Sequence, residues 1–585
     1  MSILASLARA YERMGDGAPP YGYSTEKIGY LISLNDDGTP AGAPIDLREG
    51  EGKKKTPRAL AVPQPAKRTS GISPNFLWDK TAYVLGVTAG DGKRTKDEHA
   101  KFCEIHEETL RHSDDAGLRA LLLFLRAWTP ENFMQFSWPE DMKDQNVVFA
   151  LESERRAGIQ IHDRPAARTL WANRMAGGET SKAACLITGS KGPIARLHPA
   201  IKGVWGAQSS GASLVSFNLD AFTSYGHEQG DNAPVSEAAA FAYTTALNIF
   251  LEKGSGHRIQ IGDASTVFWA DASHAESAAE AEDFFAALLN TIDENSEAKK
   301  VGAILENIRQ GRSPTSFLPD LHPGVRFHVL GLAPNAARLS VRFYIEDDFG
   351  RIAKNFLEHV SRLHIEPMPD RYKNPPLWLY LAQTAAREKS ENVPPNLAGE
   401  FLRAILTGAP YPRNLLAVLL MRLRADKDVN ALRVSLLKAI LIKNHSQAFT
   451  EVPVSLDPNQ KDPGYLLGRL FATYEYAQTQ ALGGNINATI RDQYYGTASA
   501  TPRAVFPLLQ RKATHHLARL RKERPGLAVN LDRGIGEIFE LADADNFFAP
   551  TLTAQRQALF AIGYYHQRNE FYRPKDSAKA VSDHA

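Results

Sequence analysis

Six cations lie ahead of Asp79, the single acid in the stretch from Lys53 to Gly86. The cations are Lys53, Lys54, Lys55, Arg58, Lys67 and Arg68. Lysine and arginine side chains bind phosphate groups, so a cluster of this kind is typical of contact with a nucleic-acid backbone. The alternative is a solvated loop in front of a core strand, with the following Trp78 and Tyr83 buried.

A turn-rich segment, Ser70-Gly71-Ile72-Ser73-Pro74-Asn75, follows these cations and precedes three aromatics, Phe76, Trp78 and Tyr83. Glycine, proline, serine and asparagine favour turns that expose backbone. A side-chain amide such as that of Asn75 can form hydrogen bonds with the edge of a base. The segment is therefore a candidate for reading a short sequence in a groove.

A second candidate loop lies within Ile201–Asn218, where Gly206 and Gly211 bracket the small or polar residues Gln208, Ser209 and Ser210. Glycines without a Cβ atom let the backbone approach a groove or a phosphate closely. Gln208 is suited to act as a wedge or to form hydrogen bonds with a base. The alternative is a tight turn between two strands.

The third candidate is a basic helical region between Lys461 and Arg524, with ten cations against four acids, a local net charge of +6. Among the cations are Arg503, Arg511, Lys512 and Arg519, and Tyr474, Tyr476, Tyr494 and Tyr495 are interspersed. A basic surface with aromatics suits a single strand or a duplex backbone. The alternative is an ordinary solvated helix face.

The carboxylates that are close in sequence offer an enzymatic alternative, a metal-dependent nuclease using Asp263, Asp347 and Asp348. The segment Asp347-Asp348-Phe349-Gly350 is also typical of a turn with a helix N-cap. Neither GxxxxGK[ST] nor GxGxxG occurs in the chain. The sequence therefore predicts no catalytic set, no metal site and no cofactor.

The composition is that of an ordinary globular protein: 585 residues, a net charge of +2, and only two cysteines, Cys103 and Cys185. Two cysteines build neither a disulfide framework nor a cysteine zinc site, which favours the cytoplasm. The longest apolar run, Leu121–Leu125, is far shorter than the ~20 residues needed to cross a bilayer. We therefore expect a cytoplasmic protein without a membrane segment.

The elements that must position these residues change in type near residue 350. Up to there, helices alternate with apolar strand patterns that predict a mixed or antiparallel sheet. The predicted strands are Ile28–Leu34, Arg258–Trp269 with a break at Gly262, Val325–Leu330 and Leu339–Ile345. The sequence thus predicts an α+β portion (1–350), a helical region (351–450) and, after a polar linker at 446–464, a C-terminal helical bundle (451–585).

Five blocks of the sequence resemble one known family. They are GYSTEKIGYLISLNDDG (22–38), IDLREGEGKKKTPRALAVPQPAKRTSGISPNFLWDKTAYVLG (45–86), IARLHPAIKGVWGAQSSGASLVSFN (194–218), APVSEAAAFAYTTALN (233–248) and FHVLGLAPNAARLSVRFYIEDDFG (327–350). These blocks are similar to the large subunit of the subtype I-C CRISPR Cascade, the Csd family. The similarity is spread over nearly the full length.

The resemblance implies a non-enzymatic subunit of an RNA-guided complex, located at the crRNA end with the 5′ handle. Such a subunit recognises the protospacer-adjacent motif (PAM) in duplex DNA, helps to open the R-loop and recruits a helicase–nuclease. The implied partners are crRNA, the target duplex with its displaced strand, and the backbone, handle-binding and small subunits. The resemblance also implies that an internal translation start yields a small subunit from the C-terminal helices.

Residue types then suggest a division of roles. We assign Lys53, Lys54, Lys55, Lys67 and Arg68 to phosphates, Asn75 and Gln208 to base edges or a wedge, Gly206, Ser209, Ser210 and Gly211 to a close-approach loop, and Arg503, Arg511, Lys512 and Arg519 to a strand bound at the C-terminal region. Two other hypotheses stay open: the nuclease, and a scaffold that binds only proteins.

Overall fold

The computed structural model describes residues 2–50, 55–66, 71–176, 182–217, 219–271, 275–289, 324–372, 375–449, 451–483, 487–543 and 547–573. The chain forms two compact units. The first contains Met1–Ile201 and Ser213–Ile249, and the second contains Lys202–Ala212 and Phe250–Ala585. The short segment 202–212 is therefore part of the second unit, although both of its flanks belong to the first.

The first unit contains three small sheets. Its strands are β1 (Tyr23–Ile28), β2 (Tyr30–Leu34), β3 (Ile45–Asp46), β4 (Arg58–Pro63), β5 (Asp79–Lys80), β6 (Asn146–Leu151), β7 (Lys182–Ala184) and β8 (Lys191–Pro193). A mixed sheet has the order β3-β2-β6-β5, with β2 parallel to β6, while β1 pairs with β4 and β7 with β8 in antiparallel fashion.

Strand β2 is at the centre of this unit, and all five of its residues are buried. Tyr30, Ile32 and Leu34 face one hydrophobic core, whereas Leu31 faces a second, smaller core that contains Trp78. An uninterrupted apolar run of this kind is typical of a strand covered on both faces. The strand predicted at Ile28–Leu34 is confirmed.

Helices cover these sheets and connect the strands. They are α1 (Ile3–Met14), α2 (Thr81–Val84), α3 (Thr95–Leu110), α4 (Ala116–Ala127), α5 (Asn132–Gln135), α6 (Glu152–Arg155), α7 (Pro165–Ala176) and α8 (Glu237–Leu251), the last of which continues into the second unit. Helices α3 and α4 are separate, because Asp115 caps α4 through a 3.0 Å bond from Leu118 N.

The second unit begins with an antiparallel sheet in the order β12-β11-β10-β9. Its strands are β9 (Arg258–Ile261), β10 (Ala264–Asp271), β11 (Arg326–Asn335) and β12 (Arg338–Asp348). The three predicted strands in this region are confirmed, including the break at Gly262, whose φ is +59°. The hairpin turn between β11 and β12 consists of residues 336 and 337, because Asn335 pairs with Arg338.

The other regular elements in the described residues of the second unit are helical. The helices are α9 (Ala275–Leu289), α10 (Phe349–Leu363), α11 (Leu377–Ala382), α12 (Pro395–Thr407), α13 (Arg413–Asp426), α14 (Ala431–Asn444), α15 (Pro463–Leu482), α16 (Ile490–Ala500), α17 (Pro502–Glu523), α18 (Pro525–Leu541) and α19 (Ala554–Phe571). The fold class predicted from the sequence is confirmed: an α+β N-terminal portion is followed by an all-α C-terminal portion.

The main hydrophobic core of the second unit runs from Ile259 in β9 to Tyr565 in α19, and a smaller separate cluster includes Ala477, Leu517 and Leu531. The described residues of the predicted linker at 446–464 hold no helix before Pro463 but are attached to this core. Glu366 N donates to Val454 O at 2.8 Å, and Asp457 N donates to the hydroxyl of Tyr465 at 3.1 Å. The division of the C-terminal portion into two domains stays a prediction.

Helices α15 and α19 pack with their backbones in direct contact, because glycines occupy the crossing. A Cβ atom added at Gly468 would lie 2.1 Å from Phe560 O, and one at Gly563 would lie 2.2 Å from Tyr465 O. Only glycine fits such a contact without a shift of a main chain. Gly464, one turn before Gly468, makes the same kind of contact with Arg556 O, at 2.4 Å.

We predict that Gly468→Ala destabilises the second unit by about 1–3 kcal/mol or more, because the added methyl group forces the two helices apart. Gly536→Ala in α18 is the matched control, since no described atom lies within 4 Å of the added Cβ. There the change stabilises the helix by about 0.5–1 kcal/mol. Equilibrium unfolding in urea measures both effects, and equal stability of the two variants would contradict the close contact.

Candidate nucleic-acid interface

The segment 202–212 consists of two consecutive tight turns. Ala207 N donates to Val204 O at 3.1 Å, and Gly211 N donates to Gln208 O at 2.9 Å. Gly206 is the third residue of the first turn and has a φ of +78°. A β-turn with positive φ at this position favours glycine, so the sequence dictates the shape of the loop locally.

Three contacts fix these turns to the body of the second unit. The side chain of Val204 is buried, and the backbone N of Trp205 donates to Ser265 Oγ in β10 at 2.9 Å. Ser265 Oγ in turn donates to Gln260 Oε1 in β9 at 3.2 Å. At Gly203, a Cβ atom would lie 2.9 Å from Leu251 O. The loop is therefore a positioned element rather than a solvated connection.

The side chains of Gln208, Ser209 and Ser210 are exposed to solvent in the second of these turns. The prediction placed all three in one loop with Gly206 and Gly211, and the structure brings these five residues together there. Their contact with nucleic acid stays a prediction. Residues 202–217 contain one cation, Lys202, and no acid. The loop therefore carries no negative charge of its own to repel a phosphate.

Trp205 is a further candidate that the sequence analysis did not assign. Its side chain is 60% exposed, between Gly203 and Gly206, which both have positive φ. The sequence signal is a large apolar side chain flanked by turn glycines, where it has no helix or strand face to pack on. An exposed indole beside an amide and two hydroxyls suits stacking on a base.

The basic stretch is only partly described. Lys53, Lys54, Lys67 and Arg68 lie outside the described residues, and Lys55 Nζ forms an ion pair with Asp46 Oδ2 at 2.7 Å. Hydrogen bonds, first from Arg48 and then from Lys55, hold the pKa of the Asp46 carboxyl well below its usual range. Lys55 therefore already has an anionic partner within the chain, and its phosphate contact stays a prediction.

Asn75 belongs to a buried turn instead of an exposed one. Its side chain is 5% exposed, and its Oδ1 accepts a hydrogen bond from Ala66 N at 3.0 Å. Its backbone N donates to Asp79 Oδ2 at 2.8 Å. In the described conformation the amide oxygen of Asn75 accepts a hydrogen bond within the first unit. A base contact by Asn75 stays a prediction.

The residues after Asn75 continue this buried turn. Leu77 has a φ of +65°, and its N donates to Nε2 of His106 in α3 at 2.9 Å. Burial lowers the pKa of His106 to about 4, so the ring is neutral at pH 7 and its Nε2 can accept. Phe76, Trp78 and Tyr83 are all buried. The aromatics therefore belong to the core, as the alternative in the sequence analysis predicted.

The basic region of the C-terminal portion lies mainly on α17. Arg511, His515, Arg519 and Lys522 follow one another at spacings of four, four and three residues, which places them on one face of the helix. The opposite face is buried and includes Leu509. Partial burial lowers the pKa of His516, and the neighbouring His515, Lys512 and Arg519 lower it further, in keeping with a positive field along this helix.

Three of the four cations predicted to bind a strand here have partners within the chain. Arg503 Nε donates to Phe548 O at 3.1 Å, Lys512 Nζ donates to the hydroxyl of Tyr494 at 3.1 Å, and Arg519 Nε contacts Glu523 Oε1 at 2.9 Å. Arg511 is exposed, and it forms no hydrogen bond or ion pair with the described residues. Arg511 is therefore open to a phosphate, as is the exposed Lys522 on the same helix.

The predicted site residues are divided between the two units. Gln208 with its loop and the α17 cations belong to the second unit, whereas Lys55 and Asn75 belong to the first. Of the predicted site residues, those at Gly206–Gly211 lie together in one loop, and the C-terminal cations lie mainly on one helix. The predicted residues do not all belong to one site.

The carboxylates of the nuclease alternative have structural partners. Asp263 Oδ2 accepts from Arg342, Asp347 pairs with Arg351, and Asp348 Oδ1 caps α10 through Arg351 N at 3.2 Å. The N-cap predicted here is confirmed. Arg342 and Asp347 are five residues apart on β12, about 16 Å along the strand. Among the described residues, no group of three or more His, Cys, Asp or Glu side chains could hold a metal ion.

In the described part of the chain, no helix has both the length and the apolar character that crossing a bilayer requires.

We predict that Asn75→Ala lowers the stability of the first unit by about 1–2 kcal/mol, because the partly buried N–H of Ala66 loses its acceptor, the buried Asn75 Oδ1. Gln208→Ala removes the same amide from an exposed side chain and leaves the stability unchanged. Thermal unfolding of the two variants, compared with the unmodified protein, measures the difference. An unchanged melting temperature for Asn75→Ala would show that its amide does not support the fold.

The comparisons with known proteins agree with the resemblance noted in the sequence. No curated protein matches the chain. A family model described as CRISPR-associated protein (Cas_Csd1) matches residues 7–572, nearly the whole chain. The exposed glycine-bracketed loop, the basic helix α17 and the β9–β12 sheet all lie within the matched range. The chain belongs to the CRISPR-associated Cas_Csd1 family.

Proposed function

We propose that this protein is the non-catalytic large subunit of an RNA-guided type I-C Cascade. In this proposal it recognises the protospacer-adjacent motif in duplex DNA, promotes R-loop formation and recruits the helicase–nuclease. Its partners are crRNA, the target duplex, the displaced strand, and the backbone, handle-binding and small subunits. Membership of the Cas_Csd1 family supports the proposal at the level of a CRISPR-associated protein.

The observation that carries motif recognition is the anchored loop at 202–212. Reading a short motif requires a donor and an acceptor held in place before binding, because an ordered loop loses little entropy when it contacts a base. Gln208 offers both groups, and the two turns and the Ser265 contact hold its backbone. Guide pairing supplies most of the specificity in such complexes, so a single short reader is sufficient.

The basic face of α17 supports a second role, contact with the phosphates of a nucleic-acid strand. A row of cations on successive turns follows a backbone without reading its sequence. In this proposal Arg511 leads the contact, and Arg503, Lys512 and Arg519 contribute after exchanging their present partners. The cations Lys53, Lys54, Lys55, Lys67 and Arg68 take the corresponding role on the duplex.

The C-terminal helices at 451–585 stay a proposed small subunit, made from an internal translation start. The contacts of these helices with the rest of the second unit determine which surface such a fragment would expose. Helix α19 packs against α14 as well as α15, and Tyr565 donates to Pro367 O at 2.5 Å. A fragment that begins after residue 450 exposes the surface that α14 covers here. The proposal therefore includes a partner surface that covers it in the complex.

We predict that Gln208→Ala weakens binding of the assembled complex to duplexes with the correct motif by about 1–3 kcal/mol, and has little effect on duplexes without it. Binding to a library of duplexes that differ only in the motif measures this. Gln447→Ala is the matched control, since Gln447 is an exposed glutamine in another turn of the same unit. Equal loss on every duplex would exclude Gln208 as the reader.

We predict that Arg511→Glu weakens binding of nucleic acid at all sequences alike and lowers the slope of log K against log salt by about 1. The physical reason is that one phosphate contact, with its released counterion, is lost. Lys354→Glu makes the same change of charge on the exposed side of α10 and is the control. The proposal for α17 fails if both variants have the salt dependence of the unmodified protein.

A further inference from the structure

A fully exposed aromatic side chain stands at the tip of a tight turn in the first unit. Tyr225 is 100% exposed and has a φ of +50°. The turn is closed by His227 N, which donates to Ser224 O at 2.9 Å, and Gly226 follows with a φ of +78°. Positive φ at both central residues defines a type I′ turn, a conformation that favours Asn, Asp or Gly.

The turn is braced on the side away from Tyr225. Asn232 Oδ1 accepts from Ser224 N at 3.1 Å, and its Nδ2 donates to His227 O at 3.1 Å and to Gln229 O at 3.0 Å. A single side chain therefore bonds to three backbone groups of the loop.

The base of the loop is pressed against the neighbouring segment at 195–196. Gly230 N donates to Arg196 O at 3.2 Å, and a Cβ atom at Gly230 would lie 2.0 Å from Ala195 O. Arg196 Nε donates to Gln229 Oε1 at 2.7 Å. The backbone position of Tyr225 is therefore set by hydrogen bonds of the loop rather than by burial of its own ring.

A tyrosine at position 225 lowers the stability of the fold. A Cβ-bearing residue in this region of φ costs free energy, and the exposed ring gains no burial in return. An observed backbone outlier of this kind points to a binding role. Tyrosine suits such a role, because it offers a large contact area with only two rotatable bonds and is enriched among the residues that dominate interfaces.

The charge of the loop indicates which class of partner fits. Residues 219–232 contain three acids, Asp220, Glu228 and Asp231, and neither lysine nor arginine. Acids around an aromatic repel phosphates and attract basic protein surfaces. This loop therefore differs from the loop at 202–212, which has no acid.

Exposed apolar side chains occur in the segments that contact this loop. Leu219 is exposed at its start, and Leu197 directly follows Arg196, which bonds to the loop. Leu186 is also exposed, and its N donates to Pro234 O at 2.8 Å, just beyond the loop. Apolar anchors with a polar rim are the usual composition of a protein–protein interface.

We propose that the loop 219–232 is a docking element for another protein subunit. In this proposal the Tyr225 ring enters an apolar pocket of the partner, and Asp220 and Glu228 face lysines or arginines at its rim. The inference rests on the proposed function in that the chain is a subunit of an RNA-guided complex, but it goes beyond motif recognition and does not depend on the loop at 202–212.

The test uses the chain produced together with the other protein subunits and the guide RNA of its complex. Tyr225→Asn removes the ring and places a residue that the turn favours, so the melting temperature of the chain is retained or raised. We expect the affinity for one subunit to fall at least about tenfold, the effect of losing an interface anchor. Quantitative mass spectrometry of the purified assembly measures the loss of that subunit.

Two controls isolate the cause. Met134→Ala truncates another exposed apolar side chain of the first unit and leaves the assembly unchanged. Glu228→Lys reverses a rim charge and weakens the same subunit contact as Tyr225→Asn. Normal assembly of the Tyr225→Asn complex overturns the proposal, and so does tighter assembly of the Glu228→Lys complex.

A photo-crosslinker identifies the class of partner directly. With Tyr225→p-benzoylphenylalanine, we expect a crosslink to one protein subunit, and Glu228→Lys in the same chain reduces its yield. A crosslink to crRNA or to target DNA assigns the ring to nucleic acid and overturns the proposal. No crosslink in the fully assembled complex also overturns it, because the ring then faces solvent.

Discussion

The close contact between α15 and α19 determines how the second unit is built. At a glycine crossing two helices approach until main chain touches main chain, which allows buried polar side chains to meet across the gap. Tyr564 donates to Glu475 Oε2 at 2.5 Å, and Arg469 Nε donates to Gln567 Oε1 at 3.0 Å. The last helix of the chain thereby becomes part of the same core as the β9–β12 sheet. Helices α16, α17 and α18 pack around this pair.

The packing of α17 against helix α15 of this pair also explains why α17 can carry so many cations. Its apolar face, including Phe506 and Leu509, is buried, so its stability comes from packing and not from ion pairs. Exposed cations cost little when they stay solvated, whereas burying them would carry a large desolvation penalty. A basic face that the fold does not require is available for a polyanion. The same reasoning separates Arg511, which is exposed and forms no bond with the described residues, from Lys512, which is bonded to Tyr494.

Sequence patterns predicted the features that depend on neighbours in the chain. Strands β10–β12 follow from alternating apolar residues, and the turn at Gly206 follows from a glycine that the turn geometry favours. The pairing of β1 with β4 was missed, because it joins segments about 35 residues apart and no local pattern encodes it. Asn75 was predicted to contact a base edge, and its burial was missed for a similar reason. That burial depends on packing and on the hydrogen bond that Asn75 Oδ1 accepts from Ala66 N, which the turn composition does not reveal.

Two exposed aromatics in turns, one in each unit, are distinguished by the charges around them. Trp205 lies in a segment with one lysine and no acid, while Tyr225 lies in a segment with three acids and no lysine or arginine. Exposing an aromatic ring gives up the free energy that its burial would contribute, and a partner that covers the ring restores it. The charges of the neighbouring residues then favour one class of partner, because carboxylates repel phosphates and attract basic protein surfaces. In the two proposals, one physical device, a ring carried on a glycine-containing turn, thus serves two kinds of recognition in one chain.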